Sequence, residues 1–135
     1  GVKKEVAKVE NVLKQTSLYL QVNHVKESDY NKETVDRMVD ALSDDLNTSL
    51  ALTEILTQVK VLNQAMRVKE KDATIISKEY QTLLKMCDVI GFVFKPKQLN
   101  DEELATYKKW LDAKVEKDFE KADQYRDILI KKGII

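Results

Sequence analysis

The chain has 135 residues, 43% of them hydrophobic and 34% charged, with 23 basic side chains against 23 acidic ones. That length suits one domain burying roughly two thirds of the surface its unfolded form exposes, and the balanced charge excludes a global field drawing it to nucleic acid or to a membrane surface. Three glycines, one proline, one cysteine and one histidine leave no disulfide framework and no ordinary Cys/His zinc site, and they predict long helices with short connections.

The first helix is written by Val2, Val6, Val9, Leu13, Thr16 and Leu20, a narrow apolar stripe stepping by threes and fours. The polar segment HVKESDYN, residues 24–31, interrupts it, with His24 expected as a surface residue, and a second helix follows on Val35, Met38, Val39 and Leu42. Next comes ALSDDLNTSLALTEIL, residues 41–56, in which Asp44 and Asp45 stand side by side. Paired carboxylates can serve acid–base work or Mg2+, but no nucleophile, glycine-rich loop or third ligand accompanies them. A capped corner is the more economical reading: Thr48 suits the N-cap of a helix starting at Ser49, with both aspartates near its positive end.

A third helix carries Leu52, Ile55, Leu56, Val59, Leu62 and Met66 and ends in the solvated cluster RVKEKD, residues 67–72. The fourth runs from about Ala73 to Ile90 and is stopped by Gly91. Cys87 falls in its apolar pattern and reads as a small core residue. Lys85-Met-Cys-Asp88 superficially resembles the KMSKS signature of class I aminoacyl-tRNA synthetases, but it lacks the serine and second lysine and lies inside that helix. Pro96 cannot continue a helix, whereas Asn100 followed by Asp101, Glu102 and Glu103 is a strong start signal. The fifth helix buries Leu104, Tyr107, Leu111 and Val115, Lys117-Asp-Phe119 makes a tight corner, and a last helix with Ala122, Tyr125, Ile128 and Leu129 ends at Gly133. The expectation is an all-α, antiparallel helical bundle of five or six helices, one domain over residues 1–135.

The most suggestive polar set is Lys114, Lys117 and Lys121, with Lys108 and Lys109 before it and Lys131 and Lys132 after. Lysines on neighbouring turns can meet phosphates. Yet residues 101–133 hold nine acidic side chains against eight basic ones, so a solvated helix laced with ion pairs competes with that reading. Trp110 stands among the lysines, one position off the Leu111 side.

Two stretches together resemble one family. DALSDDLNTSLALTEILTQVKVLNQ, residues 40–64, is similar to the helical C-terminal segment of cysteinyl-tRNA synthetases, where an acidic pair, an Asn-Thr step and an apolar helix recur. AKVEKDFEKADQYRDILIKKGI, residues 113–134, is similar to a second hallmark of that segment: a basic corner with Lys-Asp-Phe, then Ala-Asp, Arg-Asp and Gly-Ile. The resemblance implies an anticodon-binding helical bundle of the class Ia kind, which holds the tRNA stem while a separate Rossmann domain activates the amino acid.

It further implies the backbone of tRNA(Cys) and the protein's own catalytic domain as partners, with no DNA, no membrane, a monomer and a cytoplasmic setting. The chain would then be a fragment of a longer synthetase, with no catalytic residue, metal ligand or cofactor of its own; ATP and Zn2+ belong to the missing catalytic domain. Lys108, Lys109, Lys114, Lys117 and Lys121 become the tRNA-facing candidates. Asp44, Asp45, Asn47, Thr48, Phe119, Asp123, Arg126 and Gly133 become structural ones, with Arg126 expected to pair with Asp44 or Asp45. Two departures stand out: Ser49 replaces the family's proline after Asn-Thr, and Trp110 stands where an arginine is frequent. A cysteine ligase of thiol biosynthesis and a protein-binding helical scaffold are the rival readings.

Overall fold

The computed structural model describes residues 2–43 and 48–135, and the side chains of 4–43 and 50–135. All regular structure among them is helical: α1 (Val2–Val22), α2 (Lys32–Ser43), α3 (Thr48–Arg67), α4 (Ala73–Val89), α5 (Asp101–Val115) and α6 (Phe119–Lys131). The all-α, six-helix expectation holds. Contacts group the chain into two compact units, Gly1–Leu20 with Val25–Pro96 and Gln21–His24 with Lys97–Ile135.

In the first unit one apolar cluster joins α1 to α4. Leu13, Met38, Leu62, Ile76, Leu83 and Met86 are fully closed to solvent within it. The buried side of α1 is wider than its heptad-like stripe, because Val12, Ser17 and Leu18 go inside with it. Thr16 is tolerated there because its hydroxyl donates to the Val12 carbonyl at 2.7 Å. In α2 the inward face is Thr34, Val35, Met38 and Ala41, which turns Val39 out to 38% exposure.

Buried polar groups fasten this unit across its helices. Asn31 N donates to Thr82 Oγ1 at 2.7 Å and Ser77 Oγ to the Lys26 carbonyl at 3.0 Å, holding the α1–α2 connection on α4. Gln58 Nε2 reaches both the Glu79 carbonyl and its carboxylate, at 3.0 and 2.6 Å, tying α3 to α4. Asp72 caps α4 by accepting from Thr74 N and Ile75 N.

Helix ends follow one recurrent pattern. At Gly91 (φ 83°) the chain leaves α4 with Phe92 N bonded to Cys87 O and Gly91 N to Asp88 O, a Schellman ending. The same paired bonds close α6 at Gly133 (φ 73°), α1 at His24 (φ 52°) and α5 at Lys117 (φ 59°). The last two place a side chain in the left-handed region that glycine occupies more easily.

The second unit is built on the α5–α6 hairpin. Asn100 starts α5 with a capping box: its side chain accepts from Glu103 N at 2.8 Å, and the Glu103 carboxylate accepts from Asn100 N at 3.1 Å. Gln21 uses both ends of its amide on the incoming segment, donating to the Lys97 carbonyl and accepting from Leu99 N, each at 2.9 Å. Lys97 Nζ donates to the Lys132 carbonyl at the end of α6. Ala113, Ala122, Leu129 and Ile134 are the buried apolar residues of this unit.

Two burial expectations fail in the hairpin. Val115 is 82% exposed, because α5 turns Ala113 inward in its last turn and the chain leaves immediately afterwards. Ile128 is 43% exposed, since the inward face of α6 runs through Ala122 and Leu129 with Tyr125 half-buried. Phe119, a corner residue and structural candidate by resemblance, is 67% exposed at the first position of α6. α3 begins at Thr48, one residue before the expected Ser49.

Candidate nucleic-acid interface

The corner between α5 and α6 places a lysine at each of its three stations. Lys114 is in the last turn of α5, Lys117 takes the left-handed turn position, and Lys121 is in the first turn of α6; all three are exposed. Asp118 makes the turn continuous with the next helix, its Oδ1 accepting from Lys121 N at 3.3 Å as the N-cap of α6. That capping role was not anticipated, although Asp directly before a helical run is its usual signal. The Asp118 carboxylate also meets the Lys121 ammonium at 4.0 Å, an exposed pair that leaves the lysine available to another anion.

Lys114 is not a loose surface cation. Its Nζ lies 4.3 Å from the centre of the Trp110 ring, one helical turn back. The indole in turn leans on Tyr107, ring centres 5.6 Å apart and tilted by 54°. Burial raises the Tyr107 phenol above its ordinary pKa, so it stays protonated across the physiological range. The three residues form a ladder at positions 107, 110 and 114, a spacing legible in the sequence but masked there by the apolar stripe.

Lys108 and Lys109 are exposed but do not join the corner. At ~100° per residue they leave α5 roughly 120° and 140° around its axis from Lys114. Phe119 does join it, as an exposed aromatic face between Lys117 and Lys121, and Asp123 follows it one turn on, also exposed. Arg126 is exposed on α6, and Gly133 does perform the helix-ending role expected of it. Asp44, Asp45 and Asn47 lie outside the described residues, and with them the expected Arg126 pairing.

Cys87 behaves as the core residue its pattern indicates. It is 2% exposed, and burial pushes its thiol up to about 11, so little nucleophilic thiolate forms near neutrality. Among the described residues no group of three His, Cys, Asp or Glu side chains is placed to hold a metal ion. No helix among them is long and apolar enough to cross a membrane.

Compared with known proteins, residues 37–95 match the DALR domain, a match that lies wholly within the first unit. The chain is 30% identical over 134 residues to a cysteine–tRNA ligase of Mesoplasma florum, covering 98% of this chain and 30% of that protein. It is 25% identical over 128 residues to the enzyme of Acholeplasma laidlawii, and 33% over 103 residues to that of Lachnoclostridium phytofermentans. These cover 95% and 75% of this chain, and 27% and 22% of the relatives. The chain belongs to the cysteinyl-tRNA synthetase family and spans less than a third of the length of these relatives. No solved structure matches it.

Proposed function

We propose that the chain is the tRNA-binding helical region of a cysteine–tRNA ligase, and that it holds tRNA(Cys) while aminoacylation proceeds in a separate catalytic domain. The observation that carries this reading is the match to the Mesoplasma florum ligase, which runs through the α5–α6 corner as well as the DALR unit. The corner's chemistry suits the role. Lys114, Lys117 and Lys121 offer ammonium groups to successive phosphates, and Phe119 offers a ring on which an unpaired base can stack.

Lys117 adds a physical argument. A non-glycine residue in the left-handed region costs about 1–2 kcal/mol relative to glycine, and retaining lysine there is consistent with work for its side chain. The contacts are mainly to phosphate and sugar and set the position of the tRNA, with sequence reading confined to what Phe119 and its neighbours touch. Binding here contributes to catalysis by holding the acceptor end where the catalytic domain can use it. The 135 residues alone carry out no aminoacylation.

Titration of the chain with a tRNA(Cys) transcript tests the reading. Binding at about 50 mM salt should weaken steeply toward about 200 mM, and changing Lys114, Lys117 and Lys121 together to Glu should abolish it at the higher salt. Absence of binding by the unaltered chain at the lower salt overturns the proposal.

A further inference from the structure

The basic corner contains one cation that rests on an aromatic ring before any ligand arrives. All three lysines are exposed and Lys121 meets the exposed Asp118 carboxylate at 4.0 Å, but only the Lys114 ammonium sits on an aromatic ring, 4.3 Å from the centre of Trp110, whose indole is propped by Tyr107. We infer that Trp110 is a positioning residue for nucleic-acid binding: it holds the Lys114 ammonium at the end of α5 so that this cation meets a backbone phosphate with little loss of side-chain freedom. The inference rests on the tRNA-binding reading above and adds to it a residue that has no phosphate contact of its own.

A free lysine side chain must give up most of its rotamer freedom to hold an anion in one place. An ammonium already stacked on an indole has given it up on folding. Attraction to the ring face uses one side of the ammonium and leaves N–H donors directed to solvent, where a phosphate oxygen can accept them. Tyr107 completes the arrangement by limiting the indole's rotation, and its half-burial in α5 anchors the ladder. The ladder carries no acidic member, so the Lys114 charge is left for the ligand.

The test is a thermodynamic cycle on the full 135-residue chain with a tRNA(Cys) transcript at low salt. Trp110→Leu should weaken binding about two- to five-fold, the range that an exposed cation–ring contact spans. With Lys114→Met already present, Trp110→Leu should have no further effect, and Trp110→Phe should restore most of the loss. An equal loss from Trp110→Leu in both backgrounds, or no loss in either, overturns the inference while leaving the tRNA reading in place. Failure of the unaltered chain to bind removes the reading beneath it.

A second readout needs no tryptophan variant. Trp110 is the chain's one tryptophan, so its emission reports the charge above it. Saturating tRNA should change that emission in the unaltered chain and leave it unchanged in Lys114→Met; unaltered emission in the unsubstituted chain at saturation overturns the proposal.

Discussion

The two units of this chain solve opposite problems. The first closes a continuous apolar cluster drawn from four helices, with buried polar groups such as Gln58, Ser77 and Thr82 each given a partner. The second buries two alanines, Leu129 and Ile134, and leaves Val115, Phe119, Ile128 and Ile130 facing water. A unit organised around its interior can exchange one apolar residue for another at modest cost. A two-helix hairpin has little interior, so its identity is carried by caps, a turn and surface chemistry.

The largest effect that tests this contrast comes from equal cavities made in each unit. Leu83 and Leu129 are both fully buried. Leu83→Ala should cost about 3–5 kcal/mol and Leu129→Ala about 2–3 kcal/mol, because the smaller hairpin can collapse around the lost volume. Denaturant midpoints measure both, and amide exchange should show the first change opening α2–α4 and the second opening α5–α6. An equal or reversed ranking breaks the comparison.

The next effect is confined to the first unit. Burial holds the Cys87 thiol at about 11 against its ordinary 9.0. Below pH 9 the thiol is protonated in both folded and unfolded chains and favours neither. From pH 9 upward only the unfolded chain releases the proton, so stability falls until the folded pKa is reached, by at most about 2–3 kcal/mol. Comparing the alkaline limb of the stability curve with that of Cys87→Ala isolates the contribution, and the variant should show the shallower fall.

A smaller effect, of opposite sign, sits at the corner. Lys117→Gly relieves the left-handed strain and should stabilise the chain by about 1 kcal/mol, yet weaken tRNA binding through the lost phosphate contact. His24 has the same left-handed backbone conformation at the end of α1, outside the α5–α6 turn. His24→Gly should therefore stabilise by a similar amount and leave binding unchanged. If both glycines act alike on binding, the lysine's place in the corner means nothing.

How far the sequence foretold this structure follows the same division. In α1 to α4 the 3.6-residue apolar rhythm located the helices, and Gly91 marked the end of α4, because most of what is buried there is apolar. The buried Ser17, Thr34 and Gln58 escaped, since no apolar pattern registers a polar side chain that goes inside with its partner. In α5 and α6 the Asn100 cap and the Gly133 ending were legible because capping is local chemistry. Val115 and Ile128 are exposed against expectation for one reason: a periodic stripe predicts a covered face only where another element exists to cover it. Lys114 and Trp110 were both noticed, but their pairing depends on rotamers that no sequence pattern states.

Phe119 is where the smallest stability effect should meet a clear functional one. A ring that is 67% exposed at the first position of a helix makes few contacts to lose, so Phe119→Ser should shift stability by no more than about 0.5 kcal/mol. The exposed ring is costly in solubility and contributes nothing to the interior, which leaves a partner's surface as the place where its apolar area can be used. If that partner is an unpaired base, the same substitution should remove about 1–3 kcal/mol of tRNA binding, while the dependence of binding on salt stays as it was, because no charge has changed. The Lys→Glu changes must do the reverse and alter the salt dependence. A Phe119→Ser chain that binds tRNA as tightly as the original would reduce the corner to its lysines, and the second unit to a charged surface without an aromatic contact.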